Sequence, residues 1–172
     1  MQNNLTLVLG GAASGKSAWA EGFIENQGLP MLYLATSQAF DAEMKAKIAM
    51  HLARRGRGWT TREIPLDLAD ALAELHAGQA VLVDCATMWL SNQMLAERDL
   101  AAATDQLISA ASTCRAALCI VSNEVGQGIV PDNQMARQFR EAQGRLNIRL
   151  AAAATKVVQV VAGLPIALKG SL

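Results

Sequence analysis

The sequence predicts an α/β fold in which a mostly parallel β-sheet carries helices on both faces. Short, continuous apolar segments of the kind found in buried parallel strands recur at residues 5–9, 31–35, 80–85, 118–122 and 157–161. Segments of helical character alternate with them, as in other α/β proteins. A last apolar segment at 165–168 is joined to the segment at 157–161 by a link that is too short for a parallel crossover. It therefore predicts an antiparallel hairpin at the C-terminal edge of the sheet.

Glycine and proline residues mark the ends of the predicted elements. Gly28, Gly56 and Gly78 follow three of the predicted helices, and Pro131 precedes the last one. The predicted helices cover about residues 16–26, 42–55, 68–77, 87–97, 101–116 and 132–154, and residues 59–64 form a further β-leaning segment. Since no linker or repeat interrupts the pattern, residues 1–172 are expected to form one nucleotide-binding domain.

The composition is globular and restricts the classes of partner. Hydrophobic residues make up 52% of the chain, and 15 basic residues balance 15 acidic ones. This balance and the 4% of aromatic residues give no reason to expect nucleic acid. The chain has no signal-peptide pattern and no apolar run of roughly 18 residues, so we expect a cytoplasmic protein without stable membrane insertion. Cys85, Cys114 and Cys119 fit no zinc motif and are expected to be reduced, mostly buried thiols.

One motif predicts a site for a nucleoside triphosphate. The pattern G-x-x-x-x-G-K-[ST], with a predicted strand before it and a predicted helix after it, is formed by Gly10, Gly11, Ala12, Ala13, Ser14, Gly15, Lys16 and Ser17. In such a loop, backbone N–H groups and the helix N-terminus bind phosphate oxygens. Lys16 would reach the β and γ phosphates, and the Ser17 hydroxyl would bind Mg²⁺. The alternative is a glycine-rich turn without a ligand.

A second feature is an apolar strand that ends in an acid, Val81-Leu82-Val83-Asp84. In sheets of this kind, a residue at the carboxyl end of a strand faces the crevice where ligands bind. We therefore predict that Asp84 holds Mg²⁺ or its waters. The alternative is that Asp84 caps the following helix.

The third feature is a histidine. On a helix, Met44, Ile48, His51 and Arg55 fall on one stripe. The positive charge of Arg55, one turn away, disfavours imidazolium and keeps the ring nucleophilic, and the guanidinium could also hold a phosphate. The pattern fits a histidine that accepts a nucleotidyl group. It equally fits a histidine packed at the edge of the core, beside arginines at a solvated helix end.

Longer segments that span nearly the whole chain in order carry a resemblance to a known family. They are LVLGGAASGKS, YLATSQAFDAEM, IAMHLARRGRGWTTRE, VLVDCATMWLSN, IVSNEVGQGIVPDN and FREAQGRLNIRLAAAATKVVQVVAGLPIALK. Together they resemble the bifunctional adenosylcobinamide kinase/adenosylcobinamide-phosphate guanylyltransferase of cobalamin biosynthesis. The resemblance implies a RecA-like P-loop fold and a homotrimer. It also implies phosphorylation of adenosylcobinamide by ATP or GTP, followed by transfer of GMP from GTP to adenosylcobinamide phosphate through a guanylylated histidine.

The resemblance assigns roles to individual residues. It places His51 as the guanylylated histidine, beside the catalytic Lys16, and it places further contacts to the nucleotide or its metal at Ala35, Thr36, Ser37, Leu52, Ala53, Arg54, Arg55, Glu63 and Asp84. Gly56 stands where the family usually has proline, which loosens the turn after Arg55. Residues 123–126 end another strand at the crevice and suit either a ligand or subunit contact or a capping turn.

Two other functions remain open on the residues alone. One is a simple P-loop kinase of small molecules with a structural His51, and the other is a nucleotide-dependent switch protein. The N-K-x-D motif of regulatory GTPases is absent from the sequence, so the preference for guanine rests on the resemblance.

Overall fold

The computed structural model describes residues 4–38, 56 and 58–172, and the helix predicted at 42–55 lies outside them. The strands are β1 Leu5–Gly10, β2 Met31–Ala35, β3 Trp59–Glu63, β4 Ala80–Asp84, β5 Ala117–Asn123, β6 Lys156–Val161 and β7 Leu164–Lys169. The helices are α1 Lys16–Glu25, α2 Leu68–Ala73, α3 Ala86–Leu95, α4 Leu100–Thr113 and α5 Gln134–Ala153.

The described strands form one sheet in the order β3-β2-β4-β5-β1-β6-β7. Strands β1 to β6 pair in parallel, and β7 pairs antiparallel with β6. After β1, the chain first forms the four strands on one side of β1, from β2 to β5, and then forms β6 and β7 on the other side. The carboxyl end of β1 is therefore a topological switch point, the place where open α/β sheets bind ligands.

Both faces of the sheet are buried along its inner strands, as the continuous apolar segments predict. On β1, Leu7 packs into a cluster that includes Leu72 of α2, Trp89 of α3, Leu107 of α4 and Leu150 of α5. The neighbouring Val8 points the opposite way, into a cluster that includes Ala20 and Ile24 of α1. Since successive side chains of a strand alternate between faces, β1 packs against helices on both sides of the sheet, below the loop that follows it.

The predicted edge hairpin is confirmed. β6 and β7 are joined by Ala162 and Gly163, whose φ angles of 51° and 79° suit the tight turns that connect twisted antiparallel strands. The three cysteines are free and buried, as expected. Of the helices that the structure describes, not one has the length and apolarity needed to span a bilayer.

Several helix ends differ from the prediction, and α3 and α4 end at Leu95 and Thr113, two and three residues earlier than predicted. α2 ends at Ala73 and not near Ala77, because the chain turns towards β4 earlier, with the His76 N–H donating to Gln79 Oε1 at 3.2 Å. α5 begins at Gln134, two residues later than predicted. Asn133 caps it, its Oδ1 accepting from Ala136 N at 2.8 Å.

Candidate nucleotide-binding site

The loop between β1 and α1 has the conformation of a phosphate cradle. Ala13 and Gly15 adopt positive φ angles of 55° and 92°, so the backbone curls between strand and helix. Gly15 precedes α1 without any side-chain cap, and the first helical bond is from Trp19 N to Gly15 O at 3.0 Å. The first N–H groups of α1 therefore have no helical partner and remain available to an anion.

The chain packs tightly around this cradle. A Cβ on Gly10 would lie 2.3 Å from Ser14 Oγ and 2.8 Å from the carbonyl oxygen of Val160 on β6. A Cβ on Gly15 would lie 3.0 Å from Gly163 Cα, and Gly163 N donates to Ser14 O at 2.8 Å. The β6–β7 turn thus supports the cradle from behind. The only sign of this role of Gly163 in the sequence is its place in a short glycine turn between two strands.

Polar side chains of the cradle lie where a bound phosphate could contact them. Lys16 Nζ donates to Gly11 O at 3.0 Å, which places the ammonium group over the loop. A phosphate bound in the loop would lie next to this positive charge. Ser17 is half-buried in the first turn of α1. Ser14 Oγ is buried, and no group of the described residues bonds to it. A buried hydroxyl without a partner next to a row of unpaired N–H groups fits a loop that receives phosphate oxygens.

The register of the sheet brings three of the predicted site residues to one level. Glu63 on β3 pairs with Ala35 on β2, and Ala35 pairs with Asp84 on β4. One strand further on, Asn123 of β5 pairs with Gly10. The carboxyl ends of these strands therefore line a single edge, with the cradle at the β1 end of the row.

Asp84 is held in place by a residue that the sequence analysis did not single out. Tyr33 lies two residues before Ala35 on β2 and donates its hydroxyl to Asp84 Oδ2 at 3.0 Å. The following residue, Cys85, is buried, and burial and the nearby Asp84 carboxylate together raise the pKa of its thiol to about 11. Cys85 therefore stays protonated at neutral pH and is unsuited to metal binding or nucleophilic attack.

Thr36 joins the edge of the sheet to α3. Its buried hydroxyl donates to Cys85 O at 2.7 Å and accepts from Cys85 N at 2.8 Å, and the Asp84–Cys85 peptide bond is cis. The carbonyl of Thr36 accepts from Asn92 Nδ2 at 2.8 Å. The hydroxyl is thus engaged within the protein. That residues 35–37 lie along a nucleotide stays a prediction, with Ser37 half-buried beside them.

The end of β5 is bonded to both the cradle and α3. Glu124 N donates to Gly10 O at 3.0 Å, and Asn123 N donates to Thr87 Oγ1 at 2.8 Å. Residues 123–126 therefore lie at the crevice, as their position after a strand predicted. The Glu124 carboxylate accepts from Gly126 N at 2.5 Å and so closes a local turn.

The remaining predicted residues, His51 and residues 52–55, lie outside the described part of the chain. Across residues 4–38, 56 and 58–172, no three histidine, cysteine, aspartate or glutamate side chains form a cluster that could hold a metal ion. That Ser17 and Asp84 hold Mg²⁺ stays a prediction.

Three features define the fold class of this protein: the order of the strands, the phosphate cradle and the acidic residue at the end of β4. Together they are those of a P-loop nucleotide-binding fold of the RecA-like type. The RadB recombinase shares the fold with a TM-score of 0.53 and 16% identity, covering 90% of this chain and 73% of its own. A structure from Pyrococcus horikoshii OT3 shares it with a TM-score of 0.58 and 11% identity, covering 100% and 89%.

The sequence narrows this class to one family. Residues 6–168 match the family described as cobinamide kinase / cobinamide phosphate guanyltransferase, and the chain belongs to it. The bifunctional adenosylcobalamin biosynthesis protein CobP of Pseudomonas aeruginosa is 42% identical over 167 residues, covering 95% of this chain and 96% of its own. The bifunctional adenosylcobalamin biosynthesis protein CobU of Salmonella typhimurium is 40% identical over 181 residues, covering 96% and 99%.

Proposed function

We propose that this chain phosphorylates adenosylcobinamide with ATP or GTP and then transfers GMP from GTP to adenosylcobinamide phosphate. The products of the second reaction are adenosylcobinamide-GDP and pyrophosphate. The observation that carries the proposal is the loop Gly10–Ser17 with the uncapped N-terminus of α1, on the same edge of the sheet as Asp84 at the carboxyl end of β4. The substrates in this proposal are inferred from the family to which the chain belongs.

In the kinase reaction, the cradle binds and orients the triphosphate. The N–H groups of the loop and Lys16 neutralise the phosphate oxygens, and the hydroxyl of the substrate attacks the γ phosphorus in line. Mg²⁺ fits this donor set, because it prefers phosphate oxygens and water with one or two protein oxygens. Ser17 and Asp84 would supply those two, and the ion would neutralise charge on the phosphates.

In the transfer reaction, His51 attacks the α phosphorus of GTP and pyrophosphate leaves, which gives a phosphoramidate. A phosphate oxygen of adenosylcobinamide phosphate then attacks the same phosphorus, the P–N bond breaks, and the histidine is released. Arg55, four residues after His51 and one turn away on the helix that the sequence predicts, would disfavour imidazolium and hold a phosphate during the attack. Ala35, Thr36, Ser37, Leu52, Ala53, Arg54 and Glu63 would lie along the nucleotide or its metal. The pairing of Glu63, Ala35 and Asp84 supports this arrangement.

The decisive experiment follows the α phosphorus. The protein is incubated with GTP labelled at that atom, denatured, and examined for retained label that acid removes and base does not. We expect label on the wild type and on His76→Ala, a matched control because His76 is the other histidine and is exposed. We expect none on His51→Ala. Active wild-type protein without retained label would leave a plain kinase, with His51 structural, as the function.

We also propose that residues 1–172 act as one domain and assemble as a cytoplasmic homotrimer. Exposed apolar side chains on β7, among them Leu164 and Leu168, support self-association. One chain has a mass of 18.2 kDa, and sedimentation equilibrium should give three times this value. A concentration-independent mass of one chain would exclude the trimer.

A further inference from the structure

A group of large apolar side chains stands exposed beside the crevice. Ile129 is 96% exposed, Val130 67%, Met135 66% and Leu95 63%, and these four residues are named here the α3–α5 patch. Leu95 and Met135 also line a pocket of about 240 Å³ between α3 and α5, together with Met94, Phe139, Ser91 and Asn133. Because no charged side chain among the described residues lines this pocket, it suits an apolar ligand that carries neutral polar groups.

The patch is built on a fixed support. Arg137 Nη1 donates to Pro131 O at 2.9 Å and to Asp132 O at 2.7 Å, and Arg140 Nη1 donates to Ile129 O at 3.0 Å. These bonds turn the carbonyl groups of the loop towards α5. The apolar side chains of Ile129 and Val130 are thus held outward by a bonded backbone, as expected of a surface reserved for a ligand or partner.

The loop that carries Ile129 and Val130 begins at the phosphate cradle. Glu124, at the start of the loop that ends at Asn133, donates its N–H to Gly10 O at 3.0 Å. On the other side, Thr87 in the first turn of α3 accepts from Asn123 N. Since a helix rises about 1.5 Å per residue, Ser91 to Leu95 lie about 8 to 14 Å along α3 from its start at the crevice.

We propose that the α3–α5 patch binds the corrin ring of the cobinamide substrate, an inference that rests on the proposed function. A corrinoid is a broad, largely apolar macrocycle fringed by uncharged amides, and its reactive hydroxyl sits at the end of a side arm. Only that arm has to reach the γ phosphorus in the cradle, so the ring must bind outside it. The apolar α3–α5 patch, part of which lies on the loop that begins next to Gly10, offers that surface.

The size of the pocket determines how the ring is bound. Pockets that enclose a drug-sized ligand measure about 300 to 1,000 Å³, and a corrinoid is larger than such a ligand. The pocket of about 240 Å³ therefore accepts one edge of the ring, while the face of the ring covers Ile129 and Met135. Ser91 and Asn133 supply polar atoms for the amides at the rim.

The test compares corrinoid affinity with nucleotide affinity. Equilibrium dialysis against cobinamide, followed by the visible absorbance of the corrinoid, gives its dissociation constant without turnover. For the double variant Ile129→Ser/Met135→Ser we expect this constant to rise at least tenfold, with GTP binding unchanged within twofold. Ala136→Trp, which fills the pocket, should also weaken cobinamide binding. The matched control is Ile148→Ser, 70% exposed on the same helix α5 but 13 residues beyond Met135, and it should change neither affinity.

Each contrary result has one meaning. Unchanged cobinamide affinity in the double variant and in Ala136→Trp overturns the assignment of the patch, even if the wild type phosphorylates cobinamide and the proposed function stands. A double variant that sediments as a smaller species with unchanged cobinamide affinity shows that the patch binds a second copy, which also overturns it. A wild type that binds GTP but neither binds nor phosphorylates cobinamide overturns the proposed function itself.

Discussion

Tyr33 donates its phenolic hydroxyl to Asp84 Oδ2 at 3.0 Å, across the boundary between β2 and β4. The bond is diagonal, since Tyr33 pairs with Leu82 in the register of the two strands and Asp84 lies two residues further on. A bond of this kind restrains the carboxylate that is proposed to hold Mg²⁺. The tyrosine ring itself is packed edge-on against Trp59, with ring centroids 6.2 Å apart.

Tyr33→Phe removes this hydrogen bond and keeps the ring that contacts Trp59. Because one hydrogen bond contributes about 1 kcal/mol, we expect the Mg²⁺ concentration for half-maximal kinase activity to rise about threefold to tenfold. A titration of kinase activity with Mg²⁺ at saturating ATP measures the effect, and thermal unfolding checks that the fold is retained. An unchanged Mg²⁺ requirement would mean that Asp84 does not need Tyr33 for its position.

Gly10→Ala tests how tightly the cradle is packed. The new methyl group would meet Ser14 Oγ at 2.3 Å and the backbone oxygen of Val160 at 2.8 Å, and a backbone atom in the sheet cannot give way cheaply. We expect a loss of about 1 to 3 kcal/mol in the free energy of unfolding, measured by urea titration without nucleotide.

Gly11→Ala is the matched control for that substitution. Nothing lies within 4 Å of a Cβ at position 11, so the free energy of unfolding should change by less than about 0.5 kcal/mol. Equal losses in the two variants would show that the cost comes from chain flexibility and not from the contact with β6.

The elements that the sequence predicts well are those with a local signal. Continuous apolar segments located β1, β2, β4, β5 and β6, and the glycine and lysine spacing located the cradle before α1. The link of Ala162 and Gly163 was short enough to identify the hairpin. These features depend on neighbours in the chain, which a sequence displays directly.

The supporting contacts of the site could not be predicted in this way. Tyr33 meets Asp84 because β2 lies beside β4, and Gly163 meets the cradle because β6 lies beside β1. Hydrophobic periodicity identifies strands but gives no order for them. The same holds for Thr36 and Cys85, whose contact depends on how two strand ends lie next to each other.

The buried thiols predict a loss of stability at alkaline pH. Burial is the main cause that raises the pKa of Cys85 from 9.0 to about 11, with Asp84 the second cause, and burial also raises the pKa of Cys114 and Cys119. Above pH 9 the unfolded chain releases these protons while the folded chain retains them. Through Cys85 the free energy of unfolding should therefore fall between pH 9 and 11, by up to about 1.4 kcal/mol per pH unit, and the other two thiols should add to the fall above pH 9.

The contribution of Cys85 can be isolated by substitution. Urea unfolding of Cys85→Ala across the same pH range should show a shallower fall than the wild type, because one thiol no longer titrates. Identical slopes would assign the fall to other groups. Iodoacetamide at pH 8 should leave the folded wild type unmodified and alkylate all three thiols in urea.

Asn147 connects α5 to the end of β5 through three buried or half-buried bonds. Its Oδ1 accepts from Ser122 Oγ at 2.6 Å and from Gln143 Nε2 at 3.0 Å, and its Nδ2 donates to Asn123 O at 3.0 Å. Asn147→Leu removes these three bonds, although Gln143 Nε2 still donates to Ser122 Oγ at 2.9 Å. We expect it to lower the free energy of unfolding by about 2 to 3 kcal/mol, since each buried polar group left unpaired costs about 1 to 3 kcal/mol.

The same substitution should weaken nucleotide binding from a distance. Asn123 is followed by Glu124, whose N–H bonds to Gly10 O at the cradle, so a displaced end of β5 disturbs the phosphate site. Asn147→Asp separates the two roles of the side chain. It keeps an acceptor for Ser122 and Gln143 but sets a second oxygen against the Asn123 carbonyl, so it should raise the dissociation constant for GTP nearly as much as Asn147→Leu. If Asn147→Asp binds GTP like the wild type, the bond to Asn123 stabilises the core alone and does not position the cradle.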